Sequence, residues 1–229
     1  MAVAFDAFSN GTAGTGDISW THTPVGTPRA VIVMVLGVSG TDGVSGVTYG
    51  GVAMTEVTGS PNLKTSLELA GVYVYFLGTN IPTGAQTVAM TSANVHLKSI
   101  SAITLTGAAD TEVVDSDATI NSDSVQDPSV TLSLGGRTCF CAIGGVSGQD
   151  AVTGITPFTD WTSRLEQDGG AVTVLHYTYN TIGTTDVTAG WTQTADDATA
   201  IAVAVSEVVG GAADAVPQVW MQYRARTIH

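Results

Sequence analysis

The segment Arg29-Ala-Val-Ile-Val-Met-Val-Leu-Gly-Val-Ser-Gly40 returns as Arg137-Thr-Cys-Phe-Cys-Ala-Ile-Gly-Gly-Val-Ser-Gly148, at an offset of 108 (137 − 29). The register continues without a gap through Asp42/Asp150, Val44/Val152, Gly46/Gly154, Thr48/Thr156 and Val57/Leu165. A self-similar run of this length, made of strand-like residues, marks a duplicated β unit. Residues that replace one another between the two copies are thereby framework rather than chemistry.

The rest of the chain agrees with a β framework. Of its 229 residues 44% are hydrophobic, only 12% are charged and 27 are glycine. Strand-forming runs separated by glycine-containing turns account for that mixture, and no window carries a 3.6-residue period. The expected fold is all-β: an antiparallel β-sandwich with an internal pseudo-twofold repeat, spanning residues 1–210 in copies of about 1–107 and 108–210. One large sandwich, with each copy supplying strands to both sheets, is the expected arrangement; two separate seven-stranded sandwiches are the alternative. Residues 211–229 form a C-terminal arm or a final edge strand.

Alternation within strands assigns faces. In Ala200–Val205, Ile201, Val203 and Val205 point to the core, with Ile103 and Leu105 at the same parity in the first copy and the intervening alanines outward. Ala30–Val38 is apolar on both parities. Val31, Val33 and Val35 match Cys139, Cys141 and Ile143 and form the core set. Ile32, Met34 and Leu36 lie on the other side, bulkier than Phe140, Ala142 and Gly144 opposite them in the repeat. That face needs cover from the chain itself or from another subunit, which makes Ile32, Met34 and Leu36 candidate partner-interface residues. Trp220, Tyr223, Arg224 and Arg226 in the arm are the others, because aromatic and arginine side chains are enriched at interfaces.

Motifs for catalysis or cofactor binding are missing. Cys139 and Cys141 sit two apart on one strand, about 6.5–7 Å between Cα atoms, with Cβ vectors badly aimed for a disulfide; the repeat replaces them with valines. Gly37-Val-Ser-Gly40 and Gly145-Val-Ser-Gly148 lack the spacing of a nucleophile elbow. Gly11-Thr-Ala-Gly-Thr-Gly16 has no lysine to complete a phosphate loop. His22, His96, His176 and His229 show no metal-ligand spacing, and His176 lies opposite Val74 of the first copy. The acidic run Asp110–Asp117, with Asp123 and Asp127, lacks the order of a calcium loop and reads as a solvated join between the copies. Tyr49, Tyr73, Tyr75, Trp161, Tyr177, Tyr179 and Trp191 suit core packing better than a sugar platform. No catalytic residue, metal or cofactor is expected, and the chain is not expected to be an enzyme.

The formal net charge of −13, from 20 acidic and 7 basic residues, opposes nucleic-acid binding, which depends on neutralising phosphates. The N-terminal stretch has no secretory pattern, and no apolar run approaches the roughly 20 residues of a membrane span. The expectation is a soluble chain made in the cytoplasm, with no membrane partner.

The phrases Val3-Ala-Phe-Asp6, Ile18-Ser-Trp-Thr-His22, Val47-Thr-Tyr-Gly-Gly-Val-Ala-Met-Thr55, Asn80-Ile-Pro-Thr-Gly84 and Ala200-Ile-Ala-Val-Ala-Val205 resemble β-sandwich modules of tailed bacteriophages, over roughly residues 1–209. The resemblance implies a jelly-roll-like virion protein of the capsid decoration or cement type. It would be a non-enzymatic structural subunit in the virion, binding the major capsid protein or other virion subunits and forming a homo-oligomer. The alternative is a tail-associated adhesin that binds host-surface carbohydrate.

Overall fold

The computed structural model describes residues 2–38, 43–64, 70–93, 98–148, 155–168 and 175–208. The arm residues Trp220, Tyr223, Arg224 and Arg226 lie outside them, as do Ser39 and Gly40 of the first Gly-Val-Ser-Gly turn, Asp42, Asp150, His96 and His229. The first half carries β1 (Ala4–Gly14), β2 (Ile18–His22), β3 (Ala30–Val38), β4 (Val44–Tyr49), β5 (Val52–Ala53), β6 (Thr55–Glu56), β7 (Asn62–Lys64), β8 (Ala70–Leu77), β9 (Gln86–Ser92) and β10 (Lys98–Thr106). The second carries β11 (Ala108–Val125), β12 (Ser129–Leu132), β13 (Cys139–Ser147), β14 (Ile155–Pro157), β15 (Thr162–Asp168), β16 (Leu175–Gly183), β17 (Val187–Gln193) and β18 (Asp196–Glu207).

Each half winds the same way. A large sheet in the order β1-β10-β3-β8-β6, with β7 also on β8, faces a small sheet β2-β9-β4-β5; the second half repeats this as β11-β18-β13-β16-β15 and β12-β17-β14. Early strands alternate between the two sheets. β5 pairs with β4 while β6 pairs with β8, so the chain crosses from small to large sheet at Met54. This is jelly-roll winding, closed twice. The all-β sandwich class and the internal repeat are as the sequence led one to expect. The single sandwich with shared sheets is not: each copy keeps its strands in its own two sheets. Nor are the two sandwiches separate, because their large sheets pack back to back.

Three buried clusters follow from this stacking. Val31, Val33 and Val35 meet Tyr49, Val88 and Met90 inside the first sandwich. Cys139, Cys141 and Ile143 meet Tyr179 and Trp191 inside the second. Between the large sheets, Ile32, Met34 and Leu36 meet Phe140, Ala142, Ile201, Val203 and Val205. The both-sided apolar character of β3 is thereby explained, and Ile32, Met34 and Leu36, at 1%, 1% and 0% exposure, are corrected from candidate partner surface to internal core. Full burial of such side chains is worth about 1.5–3 kcal/mol each. The size asymmetry noted above is the fit itself. A Cβ on Gly144 would stand 2.6 Å from the Met34 sulfur and 3.2 Å from Leu36 Cδ2.

Two further expectations change. The alanines of β18 do not face solvent: Ala198, Ala200, Ala202 and Ala204 are fully buried beside Trp191 and Tyr179, and their small size admits those rings. The join between the copies is strand rather than loop: Asp110–Asp117 and Asp123 lie in β11, which pairs with β18 through four register shifts, and Asp123 is 77% exposed.

Polar contacts join the halves reciprocally. β7 of the first half grips the second: the Asn62 amide donates to the carbonyls of Ile120 (2.8 Å) and Ala200 (3.0 Å). Lys64 Nζ donates to Asn121 Oδ1 at 3.2 Å and pairs with the Asp123 carboxylate. β15 of the second half, in the equivalent edge position, reaches back over β1, where Arg164 covers the Phe5 ring. That exchange is what an approximate twofold between the halves produces.

Candidate functional site

The most ordered side-chain constellation lies in the first jelly roll, where β1, β2 and β10 converge. Trp20 Nε1 donates to Ser9 Oγ at 2.8 Å, and Ser9 Oγ is 2.7 Å from His22 Nδ1. His22 Nε2 is 3.1 Å from Thr104 Oγ1, which donates to Asp6 Oδ2 at 2.8 Å. The Asp6 carboxylate also accepts the Gly26 amide at 2.7 Å. A carboxylate only accepts, so the Thr104 hydroxyl donates to Asp6 and accepts from His22 Nε2–H. Ser9 Oγ already accepts from the Trp20 indole, and it donates to His22 Nδ1 when the imidazole is neutral.

That electronic state matches its surroundings. His22 is fully buried, and burial lowers its pKa from the ordinary 6.5, with Asp6 opposing in part. The Tyr49 ring meets it edge-on at 6.0 Å between centroids. Burial, then Asp6, pushes the Tyr49 phenol up to about 12, and its hydroxyl has no hydrogen-bond partner among the described residues. The connectivity is that of a serine, an imidazole base and a carboxylate, with Thr104 inserted. Its chemistry is constrained, however: the Trp20 N–H engages the serine oxygen, and Ser9 points its proton at the imidazole. The chain of bonds ties β1 to β2 and β10. At the offset of 108, His22 corresponds to Val130 (22 + 108), so this pin belongs to the first half alone. The signal in the sequence was a histidine at the end of a predicted strand, two residues after a tryptophan; its partners, up to 82 residues away, carried none.

The second half has a buried amide network of its own at a different place, the counterpart of Met90. Gln193 Oε1 accepts from Trp191 Nε1 (2.7 Å) and Ser147 Oγ (2.6 Å), while its Nε2 donates to the carbonyls of Val125 and Asp196. Every polar atom is used, which makes it framework.

Other sequence candidates fall into place around these networks. Cys139 and Cys141 are buried and not joined in a disulfide; burial pushes the Cys141 thiol up to about 12, far from a reactive thiolate. Gly11 is not part of a phosphate cradle: its Cβ would meet Trp20 at 2.9 Å and Ile100 at 3.0 Å, so only glycine fits beneath the indole. His176 does not match Val74. Tyr179 pairs with Ile143 as Tyr73 pairs with Val35, an offset of 106 (179 − 73), so His176 matches Ala70. Tyr49, Tyr73, Tyr75, Tyr179, Trp161 and Trp191 are all buried, as core packing requires. Among the described residues no group of three or more His, Cys, Asp or Glu is placed to hold a metal ion, and no helix is long and apolar enough to cross a membrane.

One open groove carries mixed chemistry. It occupies about 580 Å³ at one end of the second jelly roll, between the turn that carries the chain from β14 to β15 and the β16–β17 loop. Phe158, Trp161 and Ile182 give it apolar surface, and Asp160, Asp186 and Thr188 give it polar groups. No protein-family model, no curated protein and no solved structure matches the chain. The class to which it can be assigned is therefore the one its topology defines: a tandem jelly-roll protein with the two sandwiches fused through their large sheets.

Proposed function

We propose that this protein is a non-enzymatic structural subunit of a virion, of the capsid decoration or cement type of tailed bacteriophages. The observation that supports this reading most is the fusion of two like jelly rolls about an approximate twofold, with Lys64 and Arg164 gripping in opposite directions. Such a body presents two similarly built outer ends at a fixed separation. It suits bridging two identical neighbours in a symmetric shell, where each weak contact is multiplied by linkage and by copy number. The buried core between the sheets keeps that separation rigid. The resemblance read from Val3–Asp6, Ile18–His22 and Val47–Thr55 is in keeping with it.

The arm carries two of the seven basic residues, Arg224 and Arg226, on an otherwise acidic chain, and is the proposed attachment to shell subunits. Particles would be purified with the full chain and with residues 211–229 deleted, and subunits per particle counted. Hundreds of copies, lost on deletion while the truncated protein stays folded, are expected. A handful of copies, or unchanged occupancy after deletion, overturns the reading.

A further inference from the structure

We propose that Lys64 and Asn121 join in an isopeptide bond, a covalent tie between the two jelly rolls that the chain makes on itself. The proposal goes beyond the shell-subunit reading and stands without it, because the bond is read in the isolated chain.

The residues meet where the halves join. β7 is three residues long, and Lys64 at its end is only 5% exposed, a burial that lysine almost never has unless it is paired. Its side-chain nitrogen faces β11 of the other half, 3.2 Å from Asn121 Oδ1 and in contact with the Asp123 carboxylate. Asn121 and Asp123 are two apart on that strand, so their side chains share a face. An amine, a carboxamide and a carboxylate are thereby gathered at one point.

The amide is held from its other end as well. Asn121 Nδ2 donates to the Leu63 carbonyl at 3.1 Å and to Asn62 Oδ1 at 3.4 Å. Both acceptors belong to β7, so the strand that carries the amine also fixes the amide, with its carbonyl oxygen toward Nζ. Asn62 is anchored in turn on the carbonyls of Ile120 and Ala200. With a C=O bond of about 1.2 Å, the amide carbon stands within about 4.4 Å of Nζ. Reacting atoms need to approach to about 3–3.5 Å, which a small rotation of the lysine side chain supplies.

The step needs no outside reactant. Asp123 takes one proton from the Lys64 ammonium, and the neutral amine attacks Asn121 Cγ. The Cγ–Nδ2 bond of the adduct then breaks as Asp123 passes its proton to the departing nitrogen, and a second proton from Nζ follows by the same route. One Nζ–Cγ bond is made, one Cγ–Nδ2 bond is broken and nothing is oxidised or reduced. The nitrogen leaves as ammonium, and Asp123 is again a carboxylate. Asn121 is exposed and Asp123 is 77% exposed, so the ammonium passes straight into water. The new amide links residues 57 apart in sequence and on opposite halves, so unfolding no longer separates β7 from β11.

The test is the mass of the full chain, folded, incubated, then measured intact under denaturing conditions and again after digestion. The wild type is expected to be lighter than its sequence by one ammonia, and its digest to hold a branched peptide joining Lys64 to Asn121. Lys64→Arg keeps a positive charge beside Asp123 but has no amine to acylate, and it should carry its full sequence mass. Asp123→Ala should close the bond about tenfold more slowly or worse, followed as the bonded fraction against time after cell-free synthesis. A folded wild-type chain at full mass with no branched peptide overturns the proposal. An ammonia loss that persists in Lys64→Arg overturns it too, since a cyclised asparagine such as Asn10, which precedes Gly11, would then be the source. Closure of Asp123→Ala at the wild-type rate overturns the proton transfer on which the step depends.

Discussion

The guanidinium carbon of Arg164 lies 3.8 Å from the centre of the Phe5 ring. The contact joins a strand of the second jelly roll to the first strand of the first, and it is anchored by the bond from Arg164 Nε to Asn180 Oδ1 at 2.5 Å. A planar cation over an aromatic face, partly withdrawn from water, holds the two sandwiches in register where a plain apolar contact would let them slide.

Truncating that pair should loosen the junction measurably. Arg164→Ala is expected to lower unfolding stability by about 1–3 kcal/mol, since it removes the ring contact and strands the Asn180 oxygen. A double-mutant cycle with Phe5→Leu, read by urea denaturation, should return a coupling of about 0.5–2 kcal/mol. Additive losses would mean that the stacking contributes nothing.

The centre of the junction has no slack. Gly144→Ala places a methyl group 2.6 Å from the Met34 sulfur, and the overpacking should cost about 1–3 kcal/mol. Met34→Ala alone should cost about 2–5 kcal/mol through the cavity it leaves. Combined, they should cost clearly less than their sum, because each relieves the other. A sum or more, measured by thermal or urea unfolding, would show that Met34 and Gly144 do not share that space.

Stability should fall on mild acidification. The folded protein disfavours protonated His22, so below the ordinary 6.5 the unfolded chain binds the extra proton and is favoured. The contribution is complete above about pH 6.5 and declines beneath it until the folded histidine itself protonates. The groups that face the imidazole are Asp6 from β1, Tyr49 from β4 and the hydroxyls of Ser9 and Thr104. Urea midpoints at about pH 7.5 and about pH 5.5 should differ in the wild type, and His22→Gln should shrink that difference. An equal difference in both proteins would show that His22 is not the titrating group.

Much of the framework was legible in the chain. Interchange of Val31 with Cys139 and of Val33 with Cys141 marked positions that do face equivalent cores, because inward positions on equivalent strands tolerate only small apolar groups. Alternation in β18 correctly set Ile201, Val203 and Val205 on one face, but alternation alone cannot tell a solvent face from a second core. Alanine suits either, and here it made room for Trp191. The match of His176 to Val74 failed because it set the two strands at an offset of 102 (176 − 74), whereas strand pairing sets it at 106 (179 − 73), a register that loops of unequal length hide in the sequence. The Ser9–His22–Thr104–Asp6 series left no motif, since its members come from three strands.

By itself, then, the sequence determined that the fold is built of β-strands, that it is built twice, and that β3 is apolar on both faces. Those properties are local: they rest on side-chain branching, turn residues and period-two spacing. Only the tertiary structure decided what covers the outer face of β3. Burying Ile32, Met34 and Leu36 against the other copy removes apolar area from water on both halves at once, with no entropy of association, so the repeat became its own partner.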